Sequence, residues 1–278
     1  MSPKFKPRFQ YHSFVTICMI ILTWCNIALG QLNWYQPAAF CDGEWLKYKV
    51  KWGFIRLGTI EVFQKKIEGD ISTTFKVEMH AKSANLPFIN VFFINEGYLN
   101  PYKPTMQHFT LTSGKEATNV TTYVYNPQSK TVLMTTVDDG RIVRMDSLIY
   151  TDALYDALGI FMSLRSLSAS GFNITLNNIV EFKISQTHLN FSGEIEKIKV
   201  SAYEEKQYAV KFSGKADWVG KSWAGVSGPF HGWISQDSCA VPLKVQIKIF
   251  LGSITLELEE MRRETGMENA ASSSLVKR

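Results

Sequence analysis

Apolar residues recur at every second position through most of this chain, which is the spacing of strands that bury one face and wet the other. From Glu44 to Trp52, Leu46, Tyr48, Val50 and Trp52 alternate with Trp45, Lys47, Lys49 and Lys51, giving one apolar face and one lysine face. Gly53 to Gly58 reads as a tight connection into a returning strand at Thr59 to Phe63, and Ile71 to Lys82 continues the pattern. Thr105–Thr112, Ala117–Asn126 and Thr131–Val137 are rich in Thr, Val and Tyr. Asn126-Pro127-Gln128-Ser129 and Asp138-Asp139-Gly140 supply hairpin turns. Strands resume at Asn173–Ile184, Glu194–Tyr203 and Gln207–Phe212, with imperfect alternation after Glu194 that suggests a bulge. The last apolar stretch is a three-stranded meander: Trp233-Ile234-Ser235, then Leu243, Val245 and Ile247 alternating with Lys244, Gln246 and Lys248, then Ile254, Leu256 and Leu258. Such a meander cannot bury its apolar face alone, so the earlier strands must form the opposing wall.

Two stretches depart from this period. Phe88–Ile94 is a continuous apolar run, compatible with a buried strand or a short helix. From Thr151 to Leu167, Leu154, Leu158 and Phe161 share a helical face, with Ala157 and Leu164 beside it and Thr151 or Asp152 as the cap. About a dozen strands and one principal helix, linked by hairpin-sized connections, predict a mainly β fold. The expected architecture is a single curved antiparallel sheet or open β-barrel with that helix packed on it.

Composition sharpens the address rather than the fold. Lys4, Lys6 and Arg8 precede an apolar core from Phe14 to Trp24 and small residues at Ala28 and Gly30, the layout of a secretory signal peptide over 1–30. The expected organisation is then one β-rich domain over 31–261 and a disordered polar tail over 262–278. Of 30 Lys and Arg against 25 Asp and Glu, the leader takes three basic residues, so the remainder is close to balance and offers no field for nucleic acid. Cys41 and Cys239 lie at opposite ends of the domain. In an oxidising compartment they are either a disulfide or two unrelated thiols, and spacing does not decide between them. Asn119, Asn173 and Asn190 sit in glycosylation-type triplets, relevant only to a eukaryotic secretory route.

No assembled chemistry is visible. There is no Gly-x-Ser-x-Gly elbow and no Gly-x-x-x-x-Gly-Lys-Ser/Thr loop, and His80, His108, His188 and His231 stand singly. No cofactor or metal is expected, and no catalytic residue is assigned. Glu44, at the mouth of the first strand, is a candidate for pairing with a base, and Arg165 for pairing with an acid or an anion. His231 and Asp237 could meet across a turn, without a nucleophile. The surplus of Trp, Phe and Tyr suits either a filled core or an apolar cup.

The motif Gly43-Glu44-x-Leu46-x-Tyr48-x-Val50-x-Trp52-Gly53-x-Ile55-x-x-Gly58 resembles the opening of domain of unknown function family 3108, a group of bacterial exported cell-envelope proteins. Tyr155-Asp156-Ala157-Leu158 with Met162, Leu164 and Arg165 is similar to its central segment. Gly232-Trp233-Ile234-Ser235-x-Asp237 with Val241-Pro242-Leu243-Lys244-Val245 is similar to its closing one. The resemblance implies an exported, mostly β envelope protein and transfers no mechanism. The expected function is non-enzymatic binding of an apolar ligand, a lipid or acyl chain, in a β-cup touching Trp52, Phe161, Arg165 and Trp233. The alternative is an envelope assembly or scaffolding factor that binds a protein partner; the address is periplasm or outer-membrane periphery.

Overall fold

The structure is a computed structural model, and it describes residues 39–67, 73–86, 91–114, 118–180, 182–218, 227–249 and 252–263. The leader-like segment 1–30 and most of the polar tail lie outside the described residues. The strands are β1 (Glu44–Trp52), β2 (Ile55–Ile67), β3 (Thr74–Ser83), β4 (Phe92–Asn100), β5 (Lys103–Ser113), β6 (Asn119–Asn126), β7 (Thr131–Asp138) and β8 (Arg141–Ile149). Then come β9 (Leu154–Tyr155), the helix α1 (Ala157–Ser166), β10 (Asn173–Val180), β11 (Lys183–Ile198), β12 (Gln207–Asp217), β13 (Gly228–Ser235), β14 (Pro242–Lys248) and β15 (Ser253–Arg263).

Among the described residues all fifteen strands form one sheet, in the order β8 to β1, then β15 down to β9. Every pairing is antiparallel except β9 with β10. The chain therefore starts mid-sheet, winds out to one edge, and returns from the other to close against its own first strand: Leu46 faces Met261 and Val50 faces Leu256. The two edges, β8 and β9, are consecutive in the chain. Laid flat, fourteen spacings of about 4.8 Å would part them by about 67 Å, whereas the steps from Ile149 to Leu154 reach at most about 18 Å. The sheet must therefore curl almost full circle. The Arg144 guanidinium on β8 accordingly lies 3.4 Å over the Phe182 ring beside β11. No ladder joins the two edges among the described residues, so the sheet stays unclosed.

The period-two pattern sorts the faces as the physics requires. Leu46 and Tyr48 are buried, while Lys47, Lys49 and Lys51 stand on the wet face and pair with Glu260, Glu257 and Glu257 at 2.8, 3.1 and 2.9 Å. Asp139 and Gly140 both take positive φ, as a two-residue hairpin turn needs. The irregularity near Glu194 is a register shift between Phe191 and Ile195.

Helix α1 begins later than its apolar spacing suggests. Leu154 and Tyr155 pair with Asn177 and Asn178 as a short parallel strand, and Asp156, rather than Thr151 or Asp152, is the N-cap, accepting from the Gly159 amide. A β-carbon on Gly159 would stand 2.7 Å from the Pro104 carbonyl oxygen, so the glycine lets the helix seat against β5. Leu158 and Met162 pack into the larger core with Leu46, Val77, Leu99 and Met134. Leu164 and Leu167 pack into a second one with Leu189, Phe191, Phe212 and Ile234. The helix thus occupies the concavity of the sheet, with both of its flanks buried.

Candidate functional site

Where β1 opens, a polar cluster lies inside this apolar interior. Glu44 is in phase with Leu46 and Tyr48 and so points inward; it is 2 % exposed. Gln64 on β2 is in phase with Ile60 and Val62 and is also buried. Arg263 pairs with Glu44 in register across the β1–β15 ladder. Arg165, fully buried, comes from the last turn of α1.

Arg165 Nη1 stands 2.7 Å from Glu44 Oε2, and Gln64 Nε2 donates to the same oxygen at 2.6 Å. Arg263 contacts Glu44 Oε1 at 3.2 Å and reaches Asp237 Oδ2 at 3.4 Å. Arg165 Nε and Nη2 donate to the Cys239 carbonyl oxygen at 3.0 and 2.6 Å. Cys239 is held in turn by a disulfide to Cys41, Cα to Cα 5.8 Å. Buried charges need such partners, because an unpaired one in this environment would cost several kcal/mol. Burial pushes the nearby Tyr48 hydroxyl upward in pKa, an effect that Arg165 opposes.

The sulfurs of Cys41 and Cys239 and the Glu44 carboxylate lie within 4.8 Å of one another. That group does not suit a cation, since the sulfurs are bonded to each other and two guanidinium groups already face the carboxylate.

Outside this cluster runs an open groove of about 540 Å³, shaped by Trp45, Phe63, Gln64, Lys65, Arg262 and Arg263. Trp45 and Phe63 face each other across β1 and β2 with ring centroids 6.3 Å apart. Arg262 lies 4.6 Å over the Trp45 ring, a cation–π contact. Four basic side chains line the groove, Lys76 being the fourth, against two carboxylates, Glu44 and Glu78. The carbonyl oxygen Oε1 of Gln64 is buried and accepts no hydrogen bond. Lys76 is already paired with Glu78 and Glu96, Arg262 with Glu260, and Arg263 with Glu44 and Asp237, so the groove offers an aromatic wall beside largely paired charges, with one unsatisfied acceptor buried beneath it.

The residues expected to share a ligand are dispersed. Arg165 and Phe161 remain neighbours on α1, 5.8 Å from guanidinium to ring, but the Arg165 charge is taken up by Glu44. Trp52 ends the strand that Glu44 begins, about 26 Å away at strand rise, and is 40 % exposed. Trp233 lies on the opposite face of β13 from the buried Ile234; it donates to Glu196 Oε2 at 2.6 Å and meets His231 edge-on. None of these four residues lines the groove. His231 bonds Gln246 rather than Asp237, and Asp237 instead accepts from the Ala240 amide and Ser235.

Gln64, Arg262 and Arg263 were not expected at a site. Gln64 left a signal, a polar side chain continuing an apolar phase after Ile60 and Val62. Arg262 and Arg263 belong to β15, which runs two residues past the expected end of the domain at Met261. Their polar composition imitates a tail until the ladder with β1 is known.

A family model described as "Protein of unknown function (DUF3108)" matches residues 47–259. Among solved structures, the chain is similar to the β-barrel-like protein of domain of unknown function DUF1849 from Brucella abortus. The TM-score is 0.53 at 8 % identity, over 81 % of this chain and 98 % of that one, a likeness of fold alone. No curated protein matches the chain.

Proposed function

The chain belongs to the DUF3108 family of proteins of unknown function, and from that premise we propose that it is an exported, non-enzymatic binding protein of the cell envelope that holds an anionic amphiphile at the rim of its sheet. The observation that carries this reading is the groove, where Trp45 and Phe63 lie beside Arg262, Arg263 and Lys65. An acyl chain would lie along the aromatic pair, and a carboxylate or phosphate head would meet the cations. Helix α1 packs among two apolar clusters inside the concavity, which favours the rim over the cup. The Cys41–Cys239 disulfide supports an oxidising compartment, as does the leader-like N-terminus. No helix among the described residues is long and apolar enough to cross a membrane.

Calorimetric titration with dodecanoate and with the uncharged dodecyl maltoside, both below their micelle concentrations, tests the reading. Dodecanoate should bind, and Arg262→Ala combined with Lys65→Ala should weaken it about tenfold. Vesicles of phosphatidylglycerol, compared with phosphatidylcholine, distinguish a membrane lipid from a free amphiphile. Equal binding of charged and neutral detergents, or none of either, would sink the proposal. The alternative role, an assembly factor that engages a protein, draws its support from the exposed apolar edge at β8.

A further inference from the structure

The cations of the groove are not equally served. Lys65 stands directly opposite Lys76 across the β2–β3 ladder, a like-charge pair that needs carboxylates around it. Lys76 has two, Glu78 at 2.7 Å and Glu96 at 3.0 Å. Lys65 is exposed and pairs with no carboxylate among the described residues. Asp42, two residues before β1, accepts instead from the Lys66 amide at 2.7 Å. The chain leaves β15 beside this unserved cation. Glu44 faces Arg263 on one side and Gln64 on the other. The next residues along the three strands are Glu264, Gly43 and Lys65, and Glu264 is in phase with Arg262 on the wet face.

We propose that residues 264–268 of this chain cover the groove, with the Glu264 carboxylate on Lys65 and Met267 on the Trp45–Phe63 pair, so that an amphiphile must displace them to enter. The displacement rests on the amphiphile reading of the groove; the contact itself does not. Continuing β15 by one residue brings Glu264 within two strand spacings, about 10 Å between Cα atoms, of Lys65. Gly43 lies between them and has no side chain to obstruct the span. Gly266 then allows a turn, and the three steps from Glu264 to Met267 reach about 10 Å at most. That returns the chain over Phe63, which is 36 % exposed, where a thioether against an aromatic ring is a favourable contact. Arg262, over the Trp45 ring, already has Glu260 at 3.3 Å, so Lys65 is the charge that selects the incoming acid.

Hydrogen exchange read by mass spectrometry on the full chain, disulfide intact and without amphiphile, tests the contact. Amides of 264–268 should exchange about fivefold more slowly than in Glu264→Gln, a modest factor because one surface ion pair and one thioether contact are each weak. Lys65→Glu should lose the same protection. Lys65→Glu combined with Glu264→Lys should regain it, a rescue that neither misfolding nor general collapse of the tail would produce. Circular dichroism of each variant checks the fold. Saturating dodecanoate should release the segment in the wild-type chain, and Glu264→Gln should bind dodecanoate about fivefold more tightly, because the covered fraction is closed to ligand. Equal exchange in the wild-type and Glu264→Gln chains, or a double exchange that restores nothing, overturns the proposal whether or not dodecanoate binds. Protection that persists while dodecanoate binds overturns the displacement. Protection with rescue but no dodecanoate binding supports the contact and sinks the amphiphile reading instead.

Discussion

The two ends of helix α1 each bury a charged residue type of the sign that the helix dipole favours, Asp156 at the amino end and Arg165 at the carboxyl end. They are treated in opposite ways. Arg165 keeps its charge among Glu44, the Cys239 carbonyl and, through Glu44, Gln64 and Arg263. Asp156 is equally buried, yet no cation among the described residues pairs with it. Its Oδ1 accepts from the Gly159 amide, its Oδ2 makes no hydrogen bond, and the neighbouring Tyr125 hydroxyl is unpartnered as well. Burial therefore pushes the Asp156 carboxyl up to about 7, against the opposing pull of the Gly159 and Leu158 amides. Burial likewise raises the Tyr125 hydroxyl, with Asp156 and the Tyr123 and Tyr150 hydroxyls adding to it. The contrast shows that a low-dielectric interior admits a charge only with its partners, and otherwise retains the neutral form.

The largest way to break this contrast is at the carboxyl end. The disulfide closes a loop of 198 residues, so Cys239→Ala combined with Cys41→Ala should cost up to about 5 kcal/mol by the chain-entropy account. That would lower the melting temperature by about 10–20 °C, and calorimetry in the absence of reductant measures it.

Next is the amino end, read by pH. Asp156 has a folded pKa above its unfolded one, so its contribution to stability is fully present below about pH 4 and is lost as pH rises to about 7. The loss over that window is about 4 kcal/mol, since each unit of pKa is worth about 1.4. Urea titrations at intervals of one pH unit should show a slope that Asp156→Asn removes. A wild-type profile that matches the variant's would contradict the assignment.

Arg165→Met should cost about 3 kcal/mol, the low end for breaking a buried pair, because Arg263 and Gln64 still face Glu44. Unlike the pH effect, this loss should be the same at pH 5 and pH 8. Smallest is Gly159→Ala, where the new methyl would meet the Pro104 carbonyl oxygen. Shifting the first turn of α1 off β5 should cost about 2 kcal/mol, measured by denaturant midpoint.

Strand identity was legible because the signal is local. The faces of β1 are set by Leu46 and Tyr48 against Lys47 and Lys49, and the turn at Asp139-Gly140 by backbone conformations that few residues adopt. The start of α1 was not legible. Leu154 satisfies a helical spacing, yet becomes strand because Asn177 lies beside it. The disulfide stood open as one of two choices, and the two apolar clusters that flank α1 could not be read from a surplus of aromatics.

Alternation of apolar and polar side chains determined by itself that this chain is a curved antiparallel sheet with one packed helix, because burial of every second residue needs no knowledge of distant partners. Only the tertiary structure decided that Glu44, Gln64, Arg165 and Arg263 meet, that Arg262 belongs to a groove rather than a tail, and that β8 is left open. Those facts depend on how far the sheet curls before its edges approach. That curl is set by the sum of many small twists and by four residues between β8 and β9, not by any stretch read on its own.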